Sequence, residues 1–401
     1  MHRHALGLSI ALLCVVTAIE PAVGQALSPL HAQGRQIRDA AGKVVQLRGV
    51  NVGGWLVTES WMCGQTDDGG RKALEQLEKR FGPEKAGALM TAWQDNWFTT
   101  ADLDVIKEYG CNVLRVPFSY RTLQDAAGKW KRDAKRNIDF SRMDWIVKEA
   151  QGRGMYIIFV LHIWPGDYHT ISRQTPEGQT ARQEMAALWS EVARHYRGVG
   201  AIAAFDVINE PEGSPGNVLQ KAFYDAIRAQ DAQRMLIFES VAYPGIRSEK
   251  WRNIVWSAHY PENSPKNGTV RDRLDEFDRK EKLAATPGVQ VPIFIGESKA
   301  PEDNADSAAE LAKAFNDRGW SWAVWTYKGV DNGGWASTNY DRALKYNLAT
   351  DSYESILEKW TAGLSQWRDN SSPASIHKNT WWIEGFGRGF KGDGTASKAG
   401  K

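Results

Sequence analysis

The feature that most limits what this chain can fold into is a repeated alternation. Short runs rich in Val, Ile, Phe and Leu are each followed by a stretch with helical periodicity. Eight such runs stand at 46–52, 112–117, 155–162, 201–208, 234–239, 253–260, 291–296 and 321–327. Helical patterns fall at 71–91, 101–109, 141–152, 181–197, 217–229, 305–318 and 351–362, with Ser141 placed to cap one of them. The runs are nearly continuous in apolar residues, as parallel strands covered on both faces must be. The pattern predicts an α/β fold, a single (β/α)8 barrel over residues 27–368. Ahead of its first strand, 35–49 reads as an N-terminal hairpin closed at Ala41-Gly42. Two βα loops, 63–99 and 164–180, are long.

The ends of the chain differ from this middle. Residues 1–26 have the pattern of a signal peptide: Arg3, an apolar run from Ala5 to Ile19, then small residues at Ala22, Gly24 and Ala26. The run is too short to span a bilayer, so a secreted or periplasmic protein with no membrane span is expected. Export leaves Cys63 and Cys111. The first follows one strand and the second precedes the next, which puts them at opposite ends of a barrel. A disulfide needs Cα atoms within about 7 Å, so both thiols are expected to be free. Residues 369–401 turn rich in Gly, Ser, Lys and Asn and read as a partly disordered tail.

Barrel sites form where the strands end. There the sequence places Arg115, His162, Asn209, Glu210, His259, Tyr260, Glu297, Trp325 and Tyr327. Glu210 and Glu297, at the ends of the fourth and seventh strands, are what a double displacement at a glycosidic carbon needs: one proton donor and one ionised nucleophile. Arg115 would favour the charged form of Glu297, whose charge would in turn raise the proton affinity of Glu210. Asn209 could donate to a sugar 2-hydroxyl. Eighteen Trp invite ring platforms for sugar faces. His162 and His259 lack a partner at metal-ligand spacing, so neither metal nor cofactor is expected. A net charge of only +2 offers nothing to nucleic acid. The expected partner is a sugar substrate and the expected state a monomer.

LRVPF, the Leu-His-x-x-Pro-Gly of the third strand, VINEP, AHY, IGES and WTYK follow one another over residues 46–330. In that order they resemble glycoside hydrolase family five, the cellulase-like barrels. The resemblance implies Glu210 as acid/base and Glu297 as nucleophile, about 5 Å apart as retention requires. It also implies Arg115, His162, Asn209 and His259 as support and Trp325 as the floor of the −1 subsite. One departure stands out: the family's His-x-Tyr is here His259-Tyr260, which puts Tyr260 in doubt. GVNVGGWLVTESW (from Gly49 to Trp61) and WAVWTYK resemble the exo-β-1,3-glucanase-like branch. Trp55 and Glu59 would then face the −1 sugar, unless Gly-Gly-Trp only packs against the eighth strand. The implied activity is hydrolysis of β-glucan or β-glucoside linkages with retention. An endo-β-1,4-glucanase or mannanase, and a non-catalytic carbohydrate-binding barrel, are the alternatives. The two long loops could wall off one end of the cleft and favour exo action. Trp381-Trp382 would dock on the barrel or clamp a sugar.

Overall fold

The computed structural model describes residues 26–67, 72–167, 169–211, 216–239, 251–259, 290–331, 335–340, 344–364 and 376–392, with a few positions between 269 and 278. All eight expected runs are strands: β3 (Arg48–Asn51), β4 (Val113–Ser119), β5 (Tyr156–Ile163), β6 (Ile202–Asp206), β7 (Met235–Glu239), β8 (Ile254–His259), β9 (Ile293–Glu297) and β10 (Ser321–Val324). They pair in parallel and in chain order, and β10 returns to β3 to close the barrel. Alternation divides their side chains. Val113, Tyr156, Ile158, Ile237, Val255 and Phe294 fill the interior, while Leu114, Ile157, Leu236 and Ile295 face the surrounding helices.

The N-terminal hairpin is present but shifted. The paired strands are β1 (Leu30–Gln33) and β2 (Gln36–Asp39), turning at Gly34-Arg35. The expected Ala41-Gly42 turn closes only a single further bridge, Arg38 to Val44. Leu30 and Ile37 join the interior cluster and plug the N-terminal mouth of the barrel. Cys63 and Cys111 are free and buried, as expected.

The helices are α1 (Ser60–Cys63), α2 (Ala73–Trp97), α3 (Thr100–Tyr109), α4 (Ser141–Gly152), α5 (Pro176–His195), α6 (Gly216–Gln230), α7 (Ala305–Asp317), α8 (Tyr353–Glu358) and α9 (Thr380–Lys391). Ser141 is not the cap expected of it. It is the first helical residue of α4, and its N–H is taken by the Asp139 carboxylate at 3.0 Å, an Asx turn that wins because Asp139 stands two residues earlier. Within α2 the helix breaks at Gly82, before Pro83.

The C-terminal segment adds a helix that the sequence reading did not place. Residues 380–391 form a helix, α9, that buries Trp382, Phe386 and Phe390. Trp322, facing outward from β10, stacks on Phe390 with ring centroids 4.8 Å apart. Two of its glycines are contact residues. A Cβ on Gly385 would sit 2.5 Å from the Ala305 carbonyl and the Ala308 methyl, and one on Gly389 2.4 Å from that of Ala312, so α9 lies directly on α7. Docking is therefore the role of Trp382; residues 393–401 lie outside the described residues. Much of the tryptophan is likewise structural: Trp55, Trp93, Trp97, Trp189, Trp322, Trp360 and Trp382 are fully buried.

Candidate active site

The C-terminal ends of the strands carry a buried polar network centred on Arg115. Two positions after inward-facing Val113, its side chain enters the barrel and uses its whole donor fork. Nε donates to Asp206 at 2.9 Å, Nη1 to Asn51 at 2.9 Å and Glu297 at 2.7 Å, and Nη2 to Asn209 at 2.9 Å. Nη2 also lies 3.3 Å from Nε2 of His259. Burial alone would lower the proton affinity of the guanidinium, but Asp206, Glu297 and Glu239 together reverse that and raise it. A guanidinium so placed fixes a planar array of acceptors that a lysine could not match.

Glu297 reaches this network through an irregularity. Strict alternation after inward-facing Phe294 would send Gly296 inward and Glu297 out. The β8–β9 register shifts between Ala258 and His259, and the shift sets Glu297 level with His259. A side chain at 296 would not fit, because its Cβ would lie 2.7 Å from the His259 ring.

Glu210 follows β6 in a left-handed conformation with φ 44°, uncommon for a residue with a side chain. Its main-chain N–H donates to Oε2 of Glu239 at 2.8 Å. His259 Nδ1 lies 3.0 Å from Oε1 of Glu210, 3.1 Å from Oε1 of Glu239 and 3.8 Å from Oε1 of Glu297. Sharing one nitrogen at 3.0 and 3.8 Å limits Glu210 Oε1 and Glu297 Oε1 to at most about 6.8 Å apart, reached only if the three atoms were collinear. Inverting pairs span about 6.5–9.5 Å and retaining pairs about 5–5.5 Å. The side chains of Glu210 and Glu297 are 32% and 15% exposed, while Arg115 and Asp206 are sealed, so the two carboxylates are the solvent edge of the network.

Burial lowers the proton affinity of His259, but Glu239, Glu297 and its hydrogen bond to Glu210 push it up to about 9. Burial first, then Glu210 and Asp206, raise the proton affinity of Glu239 against the pull of His259 and Arg115. His259 keeps its proton at neutral pH, and each Glu239 oxygen faces a donor, Oε1 the His259 Nδ1 and Oε2 the Glu210 N–H, so the pair carries its proton on the histidine. Glu210, Glu239 and His259 bring ligand-type atoms within 4.8 Å of one another. Nδ1 faces carboxylates and so carries a proton, which leaves no lone pair there for a cation.

The opposite wall holds His162 and Trp325. Nε2 of His162 lies 3.2 Å from Oε1 of Glu59, and its ring stacks on Trp325 with centroids 5.6 Å apart. Glu59 also accepts from the indole of Trp61, the one large aromatic ring among the described residues that is extensively exposed. Trp55 does not join them. It is buried against Phe98 and Trp145 and donates to the Gln94 carbonyl at 3.0 Å. Gly54 takes a positive φ and turns the chain, and the carbonyls of Gly53 and Gly54 receive the indoles of Trp97 and Trp93. Tyr327 also points away, its hydroxyl on Asp102 of α3 at 3.0 Å. Tyr260 lies outside the described residues. A separate hollow of about 550 Å³, lined by Leu56, Thr58, Tyr120, Arg121, Phe140 and Ile163 among others, includes neither carboxylate.

The structure thus unites Arg115, His162, Asn209, Glu210, His259, Glu297, Trp325 and Glu59. It adds Asn51, Asp206 and Glu239, which sequence reasoning missed. Asp206 and Glu239 are the last residues of their strands, a position that could have flagged them.

Known proteins resemble the chain in sequence and in fold. A β-xylosidase of Phanerodontia chrysosporium is 26% identical over 378 residues, covering 81% of this chain and 78% of its own. A probable glucan 1,3-β-glucosidase A of Emericella nidulans is 24% identical over 371 residues, covering 86% and 84%. A β-glucanase of Saccharophagus degradans, solved with cellotetraose, superposes with a TM-score of 0.52 at 16% identity, over 89% of this chain and 98% of that one, a likeness of fold. Residues 77–331, more than half of the sequence and including both carboxylates, match the cellulase family, and the chain therefore belongs to glycosyl hydrolase family 5.

Proposed function

We propose that this glycoside hydrolase cleaves β-glucan or β-glucoside linkages with retention, acting as a β-1,3-glucosidase or exo-glucanase. The observation that carries the reading is the pair of part-exposed carboxylates, Glu210 and Glu297, on one histidine above a sealed arginine. In the first step Glu297 attacks the anomeric carbon and the glycosidic C–O bond breaks. Glu210 gives its proton to the leaving oxygen, and a glycosyl ester forms on Glu297. In the second, Glu210 takes a proton from water as the water oxygen attacks the same carbon, and the Glu297 carboxylate is released. Asn209, its oxygen engaged by Arg115, has its amide N–H groups to offer the 2-hydroxyl. The linkage rests on the GVNVGGWLVTESW opening, on Glu59 at the wall of the cleft, and on the glucosidase name of a relative. Export rests on the leader-like pattern of residues 1–26; no helix among the described residues is long and apolar enough to cross a membrane.

Incubation with laminarin, lichenan, carboxymethylcellulose, mannan and aryl β-glucosides tests this directly. Glucose released from laminarin, first as the β-anomer, is the expected result. Mixed oligosaccharides from carboxymethylcellulose or mannan would favour the endo reading, and α-glucose would overturn retention. Glu210→Ala should cost about 10²- to 10⁴-fold on natural glucosides and far less on 2,4-dinitrophenyl β-glucoside, whose leaving group needs no proton. Equal losses on both would remove Glu210 from the acid role.

Trp325, 4% exposed and stacked on His162, presents the apolar surface beneath the sugar. Flat stacking of this kind is worth about 1–3 kcal/mol, so Trp325→Ala should lower kcat/KM by about 10- to 100-fold per folded molecule. Unchanged specific activity in the folded fraction would make the indole a packing residue only.

A further inference from the structure

Glu239 is a carboxylate where a barrel has no packing need for one. It ends β7 at 5% exposure, and its main-chain carbonyl is held by Gln220 of α6 at 2.7 Å. An ionisable group so deep costs free energy that an apolar side chain would not. Its two oxygens have distinct partners: Oε2 takes the main-chain N–H of Glu210 at 2.8 Å, and Oε1 lies 3.1 Å from the same His259 nitrogen that meets the Glu210 carboxyl. The residue it grips is the one with φ 44°. Left-handed backbone in a residue with a Cβ persists only where its surroundings hold it, and this hydrogen bond is such a hold.

We propose that Glu239 is a positioning residue for the acid/base. One oxygen fixes the Glu210 main chain in its left-handed turn, and the other shares the His259 proton with the Glu210 carboxyl. The inference rests on the acid/base reading of Glu210. The charged groups around Glu239 are His259 and Arg115, which oppose its negative charge, and Glu210 and Asp206, which add to it. Negative charge on Glu239 makes Glu210 a weaker acid and keeps its proton available to the leaving oxygen at higher pH.

Two variants separate the functions of the two oxygens. Glu239→Gln keeps an acceptor for the Glu210 N–H and removes the charge. Its alkaline limb of kcat/KM should move down by about one pH unit, with most of the rate at the optimum retained. Glu239→Ala removes both, and should lose about 100-fold on methyl β-glucoside but less than about 10-fold on 2,4-dinitrophenyl β-glucoside, because general acid catalysis is the step that suffers. A folded Glu239→Gln with the wild-type alkaline limb, or equal losses of Glu239→Ala on both substrates, would overturn the proposal. If Glu239→Ala does not fold, the near-isosteric Glu239→Gln decides alone. Glu210→Ala on the same two substrates is the control. Selectivity there but not in the Glu239 variants sinks only this inference, whereas none in Glu210→Ala sinks the reading beneath it.

Discussion

Glu297→Ala is expected to lower turnover by about 10⁵-fold while leaving the fold intact. A held nucleophile gains an effective concentration of about 10⁵–10⁸ M over one in solution, and here the holding is explicit. The carboxylate is fixed by Arg115 at 2.7 Å, approached by His259 at 3.8 Å, and set in place by the β8–β9 register shift. Removing it leaves a gap at the solvent edge of the network rather than in its sealed centre, so the protein should still fold. Azide added with 2,4-dinitrophenyl β-glucoside should enter that gap, restore turnover and yield the α-glycosyl azide, because the small anion attacks from the vacated side. A β-configured product, or full activity without azide, would remove Glu297 from the nucleophile role.

Arg115→Ala should be the most damaging change to stability. Its guanidinium is the partner of a fully buried Asp206 and of Glu297, and it also holds Asn51 and Asn209. Breaking a buried ion pair from one side costs about 3–5 kcal/mol, because the remaining charge keeps its desolvation penalty. The pH dependence has a definite sign. Without the arginine, Asp206 sits in a site that raises its proton affinity above that of the unfolded chain. The folded variant then binds more protons than the unfolded one and gains stability as pH falls from 7 toward about 4. Urea unfolding across that range measures it; wild-type stability at pH 7 with no gain on acidification would show that Arg115 does not carry the network. Arg115→Lys keeps a charge but not the fork, and should recover part of the stability and little of the activity.

The barrel was legible because parallel strands buried on both faces leave long apolar runs, and all eight matched to within a few residues. The two carboxylates were legible because they stand at strand ends within motifs shared with a known family. What stayed hidden depended on direction in space. Nothing in Gly-Gly-Trp says which way Trp55 leaves the turn, and it turned outward to Phe98 and Trp145. Asp206 and Glu239 look like ordinary strand-end acids until neighbouring strands bring Arg115 and His259 against them. Nothing in the sequence at Gly385 and Gly389 shows the second helix that lies close against them.

The seam between β3 and β10 ties Arg48 to Trp322 and Val50 to Val324. As the chain leaves the ribosome, the edge of β3 has no partner on that side until nearly the whole barrel has been made. Every shorter N-terminal piece is an open sheet with two unpaired edges, prone to add foreign strands. The last turn of assembly then belongs to α9, which caps Trp322 on the outside of β10. A nascent chain of this fold therefore spends its synthesis unfinished, and a stop codon placed before Val324 should give aggregate rather than a smaller working enzyme.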